Sequence, residues 1–172
     1  MTKEYLKDLN FSLKLYKDSL GDEVLTVKEE LRTPPAVGEV RVVFLMPEEY
    51  VLITHVEEDG LVHAVPLTAW TRLSTVFFML KVDTEGWRET FLRPLPFLVY
   101  LRKEWLERHS YPIAEAGPAT IQKVLRAVDH APTWSAWRPV REFLRLVWKR
   151  WEGLTLGSLL YTHDLREKKG EG

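Results

Sequence analysis

The sequence predicts an α+β fold: a small antiparallel β-barrel flanked by N-terminal and C-terminal helices. Three observations predict it. Strict apolar alternation is confined to the middle of the chain, in short runs separated by Gly and Pro turns. Helical periodicity occupies both ends. The strand runs follow one another without intervening helices, which favours a barrel or sandwich over βαβ units. The chain of 172 residues divides accordingly into a helical segment 1–33, a barrel with its own helices 34–130, and an amphipathic helix with a charged tail 131–172.

The first helix is read over Lys3 to Leu20. Tyr5, Leu9, Leu13, Tyr16 and Leu20 fall at steps of four, four, three and four, and Gly21 closes the run. Asp22 to Leu31 carries Val24, Val27 and Leu31 and fits helix or extended chain alike. Thr33-Pro34-Pro35 forms a linker, because proline pushes the preceding residue out of the helical region. From Gly38, Val40, Val42 and Phe44 alternate with Glu39, Arg41 and Val43, which marks a first strand. Tyr50 to Val56 and Leu61 to Leu67 follow, joined by Asp59-Gly60, where glycine accepts positive φ without a clash. Val76 to Val82, Trp87 to Leu92 and Pro96 to Leu101 complete the strand set. Arg102 to Arg108 is a short helix. Pro118 opens another, with Ile121, Val124, Leu125 and Val128 on one face. Pro139 opens the clearest helix, whose stripe is Val140, Phe143, Leu144, Val147, Trp148 and Trp151. Gly153 reads as its stop, Leu154 to Leu165 is ambiguous, and Arg166 to Gly172 reads as a disordered tail.

Composition bounds the chemistry. There are 24 basic and 25 acidic residues, so no global field draws the chain to nucleic acid or to a membrane. There are no cysteines, which excludes disulfides, thiolate zinc sites and cysteine nucleophiles. No apolar run approaches the roughly 20 residues that span a bilayer, so no membrane partner is expected. The charged start, Met1-Thr2-Lys3-Glu4, lacks the apolar core of a signal peptide, and a cytoplasmic location is expected. Asn10 is the sole asparagine and Gln122 the sole glutamine, a depletion of thermolabile amides that suggests a thermophilic source.

The block from Pro35 to Val82 resembles the MazF/PemK family of toxin endoribonucleases. The resemblance is carried by Gly38-Glu39-Val40, Tyr50-Val51-Leu52-Ile53, Val65-Pro66-Leu67-Thr68 and Phe77-Phe78-Met79-Leu80-Lys81-Val82. Ala116-Gly117-Pro118-Ala119 is similar to the start of the family's last helix. The likeness covers about half the chain. It implies an SH3-like barrel and metal-free RNA cleavage. That chemistry needs a cation against the phosphorane and a group to move the 2′-hydroxyl proton. Thr68 takes the family's Ser/Thr position, and Arg72 is the candidate cation. The family's first-loop arginine is missing: Leu45-Met46-Pro47-Glu48-Glu49 places two glutamates where phosphate would approach. The resemblance therefore implies a degenerate, non-catalytic barrel acting in regulation. Settings open to such a barrel are toxin–antitoxin, antiviral-defence, stress, CRISPR-associated or anti-sigma-type control. An endoribonuclease using Thr68 is the alternative.

Other constellations point to surfaces. His55 and His63 flank the hairpin with Glu57 between them. A three-residue turn sets the two rings face to face, and a two-residue turn sets them on opposite faces. Ordinary strand histidines are the expectation, with no metal and no cofactor. Arg138, Arg141, Arg145 and Lys149 form a basic stripe among tryptophans, which suits nucleic acid or a protein partner. The Tyr5, Leu9, Leu13, Tyr16 and Leu20 stripe needs burial, either against its own barrel or against a protein partner. A protein partner is the leading expectation, nucleic acid the alternative, and a homodimer is admissible.

Overall fold

The computed structural model describes residues 3–21, 23–73, 80–82, 90–130 and 137–170. Helix α1 spans Lys3–Ser19. The segment after it is extended, with one 3-10 turn at Glu29–Leu31. Seven strands follow: β1 (Glu39–Val43), β2 (Glu49–Val56), β3 (Leu61–Thr68), β4 (Leu80–Val82), β5 (Thr90–Pro94), β6 (Val99–Arg102) and β7 (Ser110–Glu115). Helix α2 (Lys103–His109) lies between β6 and β7, and α3 (Pro118–Asp129) and α4 (Arg138–Gly170) end the chain. The fold is α+β, with a curled antiparallel half-barrel and helices at both ends. The strand order is β4-β5-β3-β2-β1-β7, and β6 also pairs with β3. Strand β3 thus serves two neighbours on one edge: Leu61 to Ala64 pair with β6, while Leu67 and Thr68 pair with β5.

Two glycines are required by the backbone. Gly60 has φ +91° in the β2–β3 tip. Gly38 has φ +93°, and a Cβ there would meet the Ala116 carbonyl at 2.8 Å, so β1 and the start of α3 close on each other only through glycine. The tip between β2 and β3 is four residues, 57–60, and a register irregularity lies between Ile53 and His55. His55 and His63 are consequently cross-strand partners, with ring centroids 5.0 Å apart.

Several boundaries differ from the sequence reading. The expected strands Val76–Val82 and Trp87–Leu92 fall partly outside the described residues; the described parts are Leu80–Val82 and Thr90–Pro94. The expected Pro96–Leu101 strand starts at Val99, because the Leu95 amide, donating to the Pro66 carbonyl at 2.9 Å, still extends the β5–β3 pairing and the chain bends at Pro96 and Phe97. Strand β7 was not anticipated. Its Pro112 lacks an amide hydrogen, and it sits where the β1–β7 register shifts. Gly153 does not stop α4, which continues through Gly157 to Gly170 and takes in Arg166 to Gly170 of the tail read as disordered; the last two residues of that tail lie outside the described residues. Each glycine costs a helix about 1 kcal/mol relative to alanine. Burial of Leu154 and Ser158 beyond Gly153 offsets part of that cost.

The sheet is covered on two faces. On one, α1 and α4 bury Leu9, Leu13, Tyr16, Val140, Phe143, Val147 and Trp151 against Val43, Val51, Ile53, Val62 and Ala64. On the other, Val124 of α3 meets Val40, Leu52, Val65, Leu67 and Leu92. Buried Arg41 ties the rim. Its Nε donates to Ser110 Oγ at 2.8 Å, Nη1 to Glu39 Oε1 at 2.9 Å and Nη2 to the Thr33 carbonyl at 3.0 Å.

Helix α1 is therefore docked on its own barrel by one face only. Leu9→Ala, at a fully buried position, is expected to cost about 2–5 kcal/mol in urea denaturation, whereas Phe11→Ala stays within about 0.5 kcal/mol. Equal effects would show that α1 is not part of the core.

Candidate functional site

The alternation of β2 puts Glu49 on the face of Val51 and Ile53, beneath the helices. Val43 of β1 is its cross-strand partner. On the other side the β2–β3 register runs through Tyr50 and Leu67, so the next step sets Glu49 opposite Thr68. Thr68 in turn pairs with Arg93 of β5. Glu49, Thr68 and Arg93 therefore form one polar row across three strands, on the apolar face that α1 and α4 cover.

Helix α4 closes this row. Arg150 Nη1 donates to Glu49 Oε1 at 2.9 Å, and Nη2 donates to the Met46 carbonyl at 2.7 Å. The same carbonyl accepts the Gly21 amide at 2.7 Å. Glu49 is 4% exposed. Burial pushes its carboxyl up to about 7, and the Arg150 guanidinium pulls the other way. The buried Tyr16 hydroxyl lies within electrostatic reach of both, yet closes no hydrogen bond of standard geometry to either. Burial holds that phenol above its ordinary range. Tyr16 also meets Trp70 and Phe143 edge-on, at 5.4 and 4.9 Å.

A carboxyl that titrates near neutrality has the ionisation of a general base. The surroundings do not give it a substrate. Thr68 is 3% exposed, and its Oγ1 accepts the Trp70 amide at 3.1 Å, capping the turn after β3. Arg72 of that turn is exposed to solvent. Glu48 is exposed, whereas Glu49, expected to face an approaching phosphate, points inward to Arg150.

The other anticipated residues separate cleanly. Of the α1 stripe, Leu9, Leu13 and Tyr16 are consumed by packing in cis, while Tyr5 and Leu20 stay exposed at its ends. Tyr5 stacks edge-on against Trp137 at 5.4 Å. Arg138, Arg141, Arg145 and Lys149 all point to solvent from the outer face of α4. His63 Nε2 lies 3.1 Å from Glu57 Oε1, and among the described residues no group of three potential metal ligands assembles.

Sequence reasoning missed Glu49 with Arg150, and it missed buried Arg41. The signals were local. Glu49 alternates with Val51 and Ile53, and Arg150 lies three residues after Val147 and four before Leu154, at the edge of the apolar stripe.

A native pKa above the unfolded one means that the folded chain binds the proton more tightly. Glu49's contribution to stability is full below its ordinary value of 4.5, declines as pH rises and is lost above about 7. The melting temperature of the wild type is expected to fall more than that of Glu49→Gln between about pH 5 and about pH 8. Parallel curves for the two proteins would contradict the placement of Glu49. Comparison with protein-family models finds no match, and comparison with curated proteins finds none either, so the site stands on its geometry alone.

Proposed function

We propose that this chain is a non-catalytic interaction protein on a toxin-like barrel, which binds a protein partner through the outer face of α4. One observation carries the reading. Along that face, exposed Arg138, Arg141, Arg145, Trp148 and Lys149 lead, past exposed Glu152, into exposed Leu156, Leu159 and Leu160. Within the strip the Trp148 indole meets Phe97 edge-on at 4.8 Å and keeps half of its surface open. Ser158 is the last buried residue described on α4, and the helix runs on to Gly170. A cationic half followed by an apolar half suits an amphipathic segment that is acidic at one end and aliphatic at the other. Burial of Glu49 and Thr68 under α1 and α4 speaks against catalysis at the polar row.

The exposed Trp148 within the basic half also favours a second reading, single-stranded nucleic acid gripped by the arginines with a base stacked on the indole. The apolar half has no role in that reading.

Two measurements test the proposal. Purified protein is expected to leave RNA intact, and Thr68→Ala is expected to change nothing; cleavage lost in Thr68→Ala would install the endoribonuclease instead. A protein recovered with the wild type from its native host is expected to be lost with Arg141→Glu/Arg145→Glu and with Leu156→Asp/Leu160→Asp. Recovery by both variants would overturn the assignment to α4. Binding of RNA or DNA that weakens steeply with salt would favour the second reading.

A further inference from the structure

We propose that the cavity between α4 and β6 binds a quaternary ammonium group, held by aromatic rings and by the Glu152 carboxylate. The ligand is a small organic cation of the choline kind. This inference is independent of the partner assigned to the outer face of α4, although Trp148 and Leu156 belong to both surfaces.

The cavity has a volume of about 290 Å³ and lies where α4 passes β6 and the bend before it. Trp148, Glu152 and Leu156 stand one turn apart on α4 at its open side, and all three are exposed. Trp151 and Thr155 of the same helix lie deeper. Phe97, Leu98 and Val99 form the facing wall.

Three rings line this space. Trp151 is fully buried and Phe97 is nearly so, whereas Trp148 keeps half of its surface open. Phe97 and Trp148 meet with centroids 4.8 Å apart and planes at 79°. Two rings at nearly a right angle bound a corner with both of their π faces, and the face of an aromatic ring carries the negative part of its quadrupole. Tyr100 reaches the cavity through its backbone. Its neighbours Val99 and Leu101 face the core under α4, so its ring lies on the other side of the sheet, edge-on to His63.

Charge selects the ligand's sign. Glu152 is the sole charged side chain among the described lining residues, and among the described residues it enters no ion pair. Lys149, three residues before it, lines the separate groove on the other side of α4. Arg145 lies seven residues before it, about 10 Å along the helix axis, where salt screens its charge. A cation in the aromatic corner therefore meets an open carboxylate with no basic side chain among the walls.

Hydration narrows the cation further. A metal ion would find too few ligands, since no group of three potential ligands assembles among the described residues. A primary ammonium brings N–H donors that need acceptors once water is shed. Apart from Glu152 the side-chain walls offer Thr155 Oγ1, whose proton already goes to the Trp151 carbonyl at 2.7 Å. A quaternary ammonium spreads its charge over methyl groups and donates no hydrogen bond. Its methyl groups pack against rings and aliphatic walls, its charge is attracted to the π faces, and Glu152 at the mouth balances that charge.

Titration of the full chain with choline, followed through the tryptophan indole N–H resonances by two-dimensional NMR, tests this. The Trp148 and Trp151 resonances are expected to shift and to saturate with a Kd of about 1 mM. The neutral alcohol in which carbon replaces the choline nitrogen, and the primary amine ethanolamine, are each expected to bind at least about tenfold more weakly. Glu152→Gln is expected to weaken choline at least about threefold and to leave the neutral alcohol unchanged. Trp148→Leu, at a half-exposed position, is expected to keep the fold and to weaken choline at least about fivefold, read from the Trp151 resonance. Absence of a saturable shift at about 20 mM choline overturns the proposal. Equal binding of the neutral alcohol or of ethanolamine overturns it too, as does a choline affinity that either variant leaves intact.

Discussion

The arrangement of this molecule depends on a pin at the turn before β2. Arg150 reaches from α4 to the Glu49 carboxylate and to the Met46 carbonyl, and that carbonyl also takes the Gly21 amide that follows α1. Two helices from opposite ends of the chain are thus held at one point on the sheet. An apolar contact of the same area would hold them as firmly, since the desolvation of a buried pair consumes most of its Coulombic gain. What the pair adds is position. A charge left unpaired at this depth is costly, so α4 has one favourable rotation and one favourable height over β2.

Function follows from that position. With Arg150 turned in, Val140, Phe143, Val147 and Trp151 face the core, and Arg138, Arg141, Arg145 and Lys149 are forced outward. The row of Glu49, Thr68 and Arg93 is closed in the same act, and Thr68 spends its hydroxyl on a turn. Chemistry at the sheet and binding at the helix are therefore alternatives in this fold. The proposed function takes the second.

Much of this was legible in sequence. The α+β class, the first three strands, the hairpin at Gly60 and the starts of α1 and α3 follow from periodicity and from turn residues. The rest was hidden for physical reasons. Pro112 masks β7, because proline argues against a strand until an irregular edge accommodates it. Gly153 masks the second half of α4, because local propensity does not register the burial of Leu154 and Ser158. The site was legible by face and not by partner. Alternation sends Glu49 inward, and the helical stripe brings Arg150 to the core's edge. The two are 101 residues apart, however, and no local pattern joins them. The basic stripe, by contrast, was fully legible, since exposure is what helical periodicity predicts for charge.

A double-mutant cycle on the pin is the most direct measurement. Stability is determined at about pH 8, where Glu49 is charged, for the wild type, Glu49→Gln, Arg150→Met and the double variant. Arg150→Met alone is predicted to lose about 3–5 kcal/mol, because it strands a buried carboxylate. The double variant is predicted to recover at least about 1.5 kcal/mol relative to the sum of the single losses. Losses that add to within about 0.5 kcal/mol would mean that the two residues do not act on each other, and would contradict the account.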